Sequence, residues 1–392
     1  VVAGKESGNT AVDPRCRGPS EELRIPYQCH CLGSTELAWN VSDERVDYIY
    51  NSTVAAFYDQ GFLDPNQPRN KTGCQLEDQA LAYITMELYF RSQDAPEVQI
   101  PFRSLRDEFA VLSLFLELRG IDWANNDKWF QFGENLCEWN GITCIFVDSI
   151  HKISLGSNNL QGTIPSTLIH FTDLRSIDLS DNPKLVGTIP SELGLITTLT
   201  DLSLFRNQLT GSMPSELGLL TRLDSISIVQ NKLNGTIPSE IFEIESLRTI
   251  RLSQNQLSGT IPQQITTLTR LASFEIDRNV ITGTLPTGIG NLSALEMLNI
   301  AVNNFTQTLN PNAGSMIPPR LEFINVYRSG IDRVVSSRLC LETVERPRKR
   351  TVAMECDPSI IRLCDCCSFH RENETALVHV VCIDELKKLS NI

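Results

Sequence analysis

The residue types that most often carry out catalysis are sparse in this sequence. The five histidines form no His-Glu-x-x-His arrangement, and we find no Gly-x-Ser-x-Gly elbow and no glycine-rich phosphate loop. Glu275 and Asp277 would point the same way from one strand, but Arg251 and Arg278 lie close by and should keep both carboxylates ionised. An ionised pair suits binding better than general-acid chemistry. We therefore predict a protein that is not an enzyme, with no catalytic residue, no metal and no cofactor.

The cysteines indicate disulfide chemistry. They fall into three groups of even size, and the stretch between Cys144 and Cys340 contains none. Zinc is the alternative, because the Cys-Asp-Cys-Cys stretch that begins at Cys364 is dense, but the two-residue gap favoured by zinc knuckles is absent. We predict disulfides in an oxidising compartment, with Cys137 paired to Cys144. The twelve cysteines assigned to disulfides are Cys16, Cys29, Cys31, Cys74, Cys137, Cys144, Cys340, Cys356, Cys364, Cys366, Cys367 and Cys382.

Seven Asn-x-Ser/Thr sequons favour the same compartment. One sequon arises easily by chance, but seven in a cysteine-rich chain indicate the secretory pathway and an extracellular or cell-surface location. N-glycosylation is predicted at Asn40, Asn51, Asn70, Asn234, Asn291, Asn304 and Asn373.

The charge balance narrows the classes of partner. The chain has 34 Lys and Arg against 47 Asp and Glu, a net charge of −13. Nucleic acid needs a clustered cationic face, so we expect no nucleic-acid partner. No run of 18 apolar residues is present, and we expect membrane contact only through a segment outside this chain.

A repeat of about 24 residues must position any binding residues. Its pattern is L-x-x-L-x-L-x-x-N-x-L-x-G-x-I-P, and its alternating segment predicts a strand with buried Leu or Ile side chains. The asparagine amide should turn inward and bond the backbone of neighbouring turns, while Gly and Pro turn the chain onto the convex side. The repeated asparagines are Asn158, Asn182, Asn207, Asn231, Asn255, Asn279 and Asn303, and an eighth strand at Leu321 has Ser329 in their place.

This G-x-I-P version resembles the plant-specific leucine-rich repeat, found in receptor-kinase ectodomains and polygalacturonase-inhibiting proteins. The resemblance covers residues 150–310 and implies a short second strand at each G-x-I-P segment. The cap before the first strand, with Trp129, Cys137, Trp139 and Cys144, matches the W…C-x-W-x-G-V-x-C cap of that class. Together with the preceding helix and the C-terminal C-x-C-C stretch, it is similar to secreted or membrane-anchored leucine-rich repeat proteins of diatoms and related stramenopiles.

These patterns predict an α/β fold, a right-handed solenoid of about eight plant-type repeats between two caps. We divide the chain into a Cys- and aromatic-rich lobe (1–75), a helical N-terminal cap (76–148), the repeats (149–336) and a Cys-rich C-terminal cap (337–392). Apolar spacing predicts helices over 75–90 and 104–118.

The outward strand positions are the candidate site, because a solenoid displays them on its concave face. Larger side chains begin at Phe205, and Tyr and Arg most often anchor interfaces. We predict a protein, peptide or polysaccharide ligand there. The predicted ligand-binding residues are Phe205, Arg206, Val229, Arg251, Asp277, Arg278, Val302, Tyr327 and Arg328.

The most direct interpretation is non-catalytic extracellular recognition or adhesion. Two alternatives remain open. The lobe over 1–75 could make the protein a structural subunit of an extracellular assembly by self-association, or the chain could inhibit secreted glycan hydrolases, as the resemblance to polygalacturonase-inhibiting proteins suggests.

Overall fold

The computed structural model describes residues 102–129, 135–145, 149–306 and 318–330 except Tyr327, the strands over 350–354 and 378–382, and four positions between 51 and 57. The chain divides into two compact units, Val1–His151 and Lys152–Ile392. No helix in the described part is both long and apolar enough to cross a membrane.

The first unit is built on one helix and a cluster of aromatic rings. Helix α1 spans Phe102–Glu117, which confirms the second predicted helix, whereas the one predicted over 75–90 lies outside the described residues. A short 3-10 turn at Gly120–Asp122 follows, and it begins with glycine because a side chain there would collide with the Phe115 ring. A second 3-10 turn at Leu136–Glu138 leads into strand β1, Ile142–Cys144.

The rings of the predicted cap pack on one another, and the indole N–H groups of Trp123 and Trp129 donate hydrogen bonds to backbone carbonyls. Trp129 lies 4.8 Å from Trp123 and 5.1 Å from Trp139, measured between ring centroids. The indole N–H of Trp129 donates to the carbonyl of Asn140 at 2.9 Å. The predicted disulfide is confirmed: Cys137 and Cys144 are bonded, and their Cα atoms are 5.5 Å apart. Aromatic burial and the disulfide together hold this short, strand-poor segment in one conformation.

The second unit is a leucine-rich repeat solenoid with a parallel concave sheet. Its strand order is β2-β4-β6-β8-β9-β10-β12-β14-β15-β16. The strands are β2 (Ile150–Ser154), β4 (Ser176–Asp178), β6 (Asp201–Ser203), β8 (Ser225–Ser227), β9 (Thr249–Arg251), β10 (Ser273–Glu275), β12 (Met297–Asn299), β14 (Phe323–Asn325), β15 (Arg350–Met354) and β16 (Val378–Cys382).

Short second strands lie at or just before four of the six G-x-I-P segments, as the resemblance implied, whereas the segments that begin at Gly235 and Gly259 contribute only an isolated bridge between Thr236 and Ser258. A fifth short strand lies in the seventh repeat, which lacks the segment. They pair in parallel in two small sheets, β3-β5-β7 and β11-β13. Each G-x-I-P glycine has a positive φ, such as 77° at Gly211, which an L side chain adopts only with strain. The strands are β3 (Gln161–Thr163), β5 (Lys184–Gly187), β7 (Gln208–Leu209), β11 (Thr282–Gly283) and β13 (Asn304–Phe305).

The convex side is made of 3-10 turns, one in each of the six repeats whose convex segment the structure describes. Pro190 and Pro214 stand immediately before two of them, where a missing N–H costs nothing. A Cβ at Gly194 would stand 2.1 Å from the Glu216 carbonyl oxygen of the next turn, so successive turns stack closely. The turns are Ser166–His170, Ser191–Leu195, Ser215–Leu219, Ser239–Glu243, Gln263–Thr267 and Ile289–Asn291.

The asparagine ladder predicted from the repeat is present. The Asn231 amide donates to the Leu204 carbonyl of the preceding repeat at 2.8 Å, and its oxygen accepts from the Leu209 N–H at 3.0 Å. Asn207 and Asn255 make equivalent bonds to the backbone. The interior of the solenoid therefore has both leucine packing and a line of satisfied amides.

The concave sheet continues beyond the predicted repeats. Strands β15 and β16 lie in the Cys-rich C-terminal segment, yet they pair in parallel with β14 and with each other. Their sequences lack the asparagine and the G-x-I-P segment, so the 24-residue pattern did not anticipate them. Backbone pairing at the open edge requires only an extended segment, and edge coverage removes unpaired strand groups.

Candidate functional site

The concave face has three columns of outward side chains, one residue per repeat in each column. The first column lies within the strands, and parallel registers such as Ser227 with Arg251 and Arg251 with Glu275 place its members side by side. The second column follows two residues later, and the third directly after the second. Neighbouring members of a column are about 4.8 Å apart, the spacing of paired strands.

The residues of the third column adopt a left-handed backbone conformation, which the sequence analysis did not predict. Every member has a positive φ although none is glycine, for example 55° at Arg206 and 51° at Val302. The backbone must turn here so that the following asparagine points inward, and the N–H of Arg206 then donates to the Val229 carbonyl at 2.8 Å. This requirement comes from the fold, because the side chains at these positions share no chemistry. The column is Ser157, Asp181, Arg206, Gln230, Gln254, Arg278, Val302 and Arg328.

Two apolar side chains lie beside this column in adjacent repeats. Phe205 and Val229 belong to the second column and are half-buried. The preceding member of the column is Ser180, which is buried. Apolar side chains next to an arginine are typical of the residues that contribute most binding free energy at interfaces, because a docked ligand excludes water from them.

Arg206 is held in a chain of side-chain hydrogen bonds along the third column. Its Nε donates to Gln230 Oε1 at 2.7 Å, and Gln230 donates to Gln254 Oε1 at 2.9 Å. On the other side, Arg206 Nη1 lies 3.5 Å from Asp181 Oδ1. The guanidinium remains 60% exposed, so it is oriented and still accessible to a ligand.

A second polar cluster surrounds Asp277. Ser253 and Asn299 donate to the same carboxylate oxygen, Asn299 at 2.9 Å. Arg278 Nε lies 3.9 Å from the other oxygen, and the guanidinium is 67% exposed. The carboxylate is therefore positioned from three directions before any ligand arrives.

Burial governs the Asp277 carboxyl more than the nearby arginines do. Desolvation raises its pKa, the hydrogen bond from Ser253 lowers it, Glu275 raises it and Arg278 lowers it, in that order of size. The net direction is upward, so burial outweighs the lowering of the pKa by Ser253 and Arg278. Arg251 instead pairs with Glu275, with Nε and Oε1 at 2.8 Å. The geometry of two fixed carboxylates, each with bonded partners, still favours binding over proton transfer.

The predicted residues form a stripe along the sheet and do not converge on one pocket. From Phe205 to the eighth repeat is five repeats, roughly 24 Å at the strand spacing. Val302 is 39% exposed and Arg328 is exposed, while Tyr327 lies outside the described residues. Among the described residues, no three His, Cys, Asp or Glu side chains are close enough to hold a metal ion.

Known proteins resemble the repeats of this chain. A family model described as Leucine Rich Repeat matches residues 246–268. A leucine-rich repeat receptor-like serine/threonine-protein kinase of Arabidopsis thaliana is 31% identical over 97 residues, which are 25% of this chain and 9% of the kinase, and kinase relatives match only in their repeats. Polygalacturonase inhibitor 1 of Oryza sativa subsp. japonica is 30% identical over 82 residues, 21% of this chain and 25% of the inhibitor.

A solved structure extends the likeness to the fold. The LRR ectodomain of the plant membrane receptor kinase GASSHO1/SCHENGEN3 from Arabidopsis thaliana, in complex with CASPARIAN STRIP INTEGRITY FACTOR 2, is 27% identical with a TM-score of 0.50. The match covers 68% of this chain and 29% of that ectodomain. The matched part of this chain spans only 9% of the receptor-like kinase and 25% of the polygalacturonase inhibitor. The repeats, the inward asparagines and these likenesses together show a leucine-rich repeat solenoid whose repeats are similar to those of plant receptor ectodomains and of a polygalacturonase inhibitor.

Proposed function

We propose that the protein is an extracellular, non-catalytic recognition module that binds a protein, peptide or glycan on its concave face. The observation that carries the proposal is the pairing of half-exposed apolar side chains with an oriented guanidinium at Phe205, Val229 and Arg206. The ectodomain with which the chain shares its fold is itself in complex with a partner. That likeness supports a ligand on the repeats without naming it.

Pre-organisation is the physical reason why this stripe suits binding. Arg206 and Asp277 are already hydrogen-bonded in the free protein, so these two side chains lose less conformational entropy when a ligand contacts them. Phe205 and Val229 add apolar area that a docked ligand would remove from water. Arg251, Arg278, Val302, Tyr327 and Arg328 extend the proposed stripe.

Glycans on the repeats would leave the concave columns free. Asn234, Asn291 and Asn304 are exposed and lie outside the three columns. Asn51 is also exposed, and Asn40, Asn70 and Asn373 lie outside the described residues. Glycosylation at the three repeat positions is consistent with the proposed extracellular location and with an open concave face.

The test compares two double variants of the full chain. Phe205→Ala with Arg206→Ala removes the centre of the proposed site, while Leu219→Ala with Lys232→Ala removes an exposed leucine and an exposed cation elsewhere. The probes are a displayed random-peptide library and an array of cell-wall glycans. We expect the first variant to weaken binding of the peptide hits and of the uncharged glycan hits by about tenfold or more, since hot-spot residues each contribute over 1 kcal/mol. Equal binding by both variants, with unchanged melting temperatures, would refute the concave site.

Inhibition of a secreted glycan hydrolase is a second candidate. It is favoured by the identity with polygalacturonase inhibitor 1 over 82 residues. The measurement is the rate of polygalacturonate hydrolysis by a panel of secreted polygalacturonases with and without the pure protein. If no enzyme is slowed, this candidate is rejected and the recognition proposal is unaffected.

The finer organisation also remains our proposal. We infer the four parts 1–75, 76–148, 149–336 and 337–392, a similarity to stramenopile proteins, and disulfides in the N- and C-terminal cysteine groups. Self-association through the lobe at 1–75 stays a prediction, because that lobe lies almost wholly outside the described residues. Deleting residues 1–75 and measuring the solution mass over a wide concentration range tests it.

A further inference from the structure

An open concavity lies on the flank of the solenoid where the concave strands begin. Its volume is about 540 Å³, and three arginines line it: Arg248, Arg270 and Arg320. Thr269, Ser293 and Ala294 form part of the wall between them. None of these residues belongs to the three concave columns, so the concavity is separate from the proposed recognition stripe.

The sequence places arginine at every second repeat along this flank. The residue directly before the first repeat leucine is Arg222, Ser246, Arg270, Ala294 and Arg320 in five successive repeats. Arginine therefore alternates with a small side chain, and each small side chain leaves space beside the neighbouring guanidinium groups. Two repeats correspond to about 10 Å, so the cations recur at a fixed interval of that size.

The guanidinium groups of Arg270 and Arg320 are available to a ligand. Both residues are exposed, and within the described part of the chain neither has an ion-pair or side-chain hydrogen-bond partner. Arg248 is engaged, since its Nε lies 3.1 Å from Asp224 Oδ1. Glu296 and Glu322 lie on the strand side of this flank and form no ion pair with the described cations.

The concavity is lined by positive charges, whereas the chain as a whole is negatively charged. The protein carries a net charge of −13, yet three cations share one depression. Exposed guanidinium groups gain little from one small anion, because solvent and salt screen the attraction. Several guanidinium groups at a regular interval gain much more from a polymer that presents several anions at once.

We propose that this flank binds an acidic polysaccharide, one that carries carboxylate or sulfate groups along its chain. The planar guanidinium fork suits both groups, because it donates two parallel hydrogen bonds to a pair of oxygens. The wall supplies the remaining contacts of a sugar: Thr269 and Ser293 offer hydroxyls, and Ala294 and Pro319 offer apolar surface for the ring faces. A bare phosphate or a lipid headgroup would make no use of that wall.

Asn291 begins a sequon whose third residue, Ser293, lines the concavity. A glycan there could hide the arginines from a polymer. The experiment is therefore done with the glycosylated protein and with an Asn291→Gln background.

The test measures binding of the full chain to immobilised polygalacturonate and carrageenan, with dextran as the neutral polymer and phosphatidylserine vesicles as the lipid probe. We compare Arg270→Ala/Arg320→Ala with Lys184→Ala/Lys232→Ala, which removes the same charge from exposed positions elsewhere. Two lost charge-assisted contacts should weaken binding to the acidic polymer by about tenfold or more, whereas the control should stay within about twofold. The arginine variant should also show the weaker dependence of affinity on salt.

Four outcomes would overturn the proposal. They are no binding to either acidic polymer in either background, equal loss in the two double variants, binding to vesicles alone, and loss of polymer binding in the Phe205→Ala/Arg206→Ala variant. The last outcome would move the polymer to the concave face. Failure of the flank site leaves the concave proposal standing, because the two sites share no residue.

Discussion

The interior asparagines and the third concave column occupy adjacent positions in each repeat, yet they vary in opposite ways along the solenoid. Asn182, Asn207 and Asn231 are buried, and the amide of each donates to a leucine carbonyl of the preceding repeat. The residues directly before them are an aspartate, an arginine and a glutamine, all at least partly exposed. The comparison teaches that repetition provides stability here, while the freedom of the neighbouring position provides the candidate site.

Removing one interior asparagine should have the largest effect on stability. Asn231→Ala leaves the buried Leu209 N–H without this partner and removes one of the two amide bonds to the Leu204 carbonyl, which keeps the bond from Asn207. We expect the free energy of unfolding to fall by about 2 kcal/mol, as a buried unsatisfied group costs about 1–3 kcal/mol. Denaturant unfolding measures it. The matched control is Gln230→Ala, one residue earlier, which should change stability by less than about 0.5 kcal/mol. If both variants lose the same free energy of unfolding, the inward asparagine contributes no more to stability than the outward residue before it.

A smaller effect should come from Asp277, the part-buried concave carboxylate whose pKa is raised by desolvation. Because its pKa is raised in the folded protein, the folded state binds the proton more tightly than the unfolded chain does. The stability from protonation is thus complete below the unfolded pKa of an aspartate and is lost as the pH rises through the raised value. Asp277→Asn keeps an oxygen for the Ser253 and Asn299 bonds and should remove this pH dependence.

Chemical unfolding of wild type and variant between pH 3 and pH 7 gives the measurement, a window that covers the usual aspartate pKa and values above it. Asp201→Asn, an exposed position on strand β6, serves as the control and should leave the profile unchanged. If Asp277→Asn and wild type show the same pH profile, burial is not the dominant influence on this carboxyl.

The smallest effect should be a gain in stability at Val302. A β-branched side chain with φ of 51° is strained, and asparagine tolerates that conformation better. Val302→Asn should therefore raise the free energy of unfolding by about 0.5–1 kcal/mol. Gln254→Asn, in the same column with φ of 59°, should gain less because glutamine is not β-branched.

The Val302→Asn variant also tests whether the third concave column takes part in ligand binding. Val302 is 39% exposed, so its strain is compatible with a role in binding. A Val302→Asn protein that is more stable but weaker towards the ligands of the concave face would support that role. Unchanged binding would remove Val302 from the proposed stripe.

The sequence alone determined the repeat, the direction of its asparagines, the Cys137–Cys144 bond and the second helix. Each follows from a local rule: a 24-residue period repeats one backbone path, and alternating leucines fix which strand face is buried. It also placed Phe205 and Arg206 on the outward face, since outward and inward positions alternate.

Only the tertiary structure decided how those outward residues interact. The bond from Arg206 to Gln230 joins residues 24 positions apart, and the stacking that brings them to 2.7 Å is a property of the assembled solenoid. The same holds for the burial that outweighs arginine at Asp277, and for the flank concavity, where arginines 50 positions apart in sequence line one space. The repeat pattern describes the backbone path of one repeat. Which variable side chains meet between repeats depends on how the repeats stack, and the pattern does not specify that.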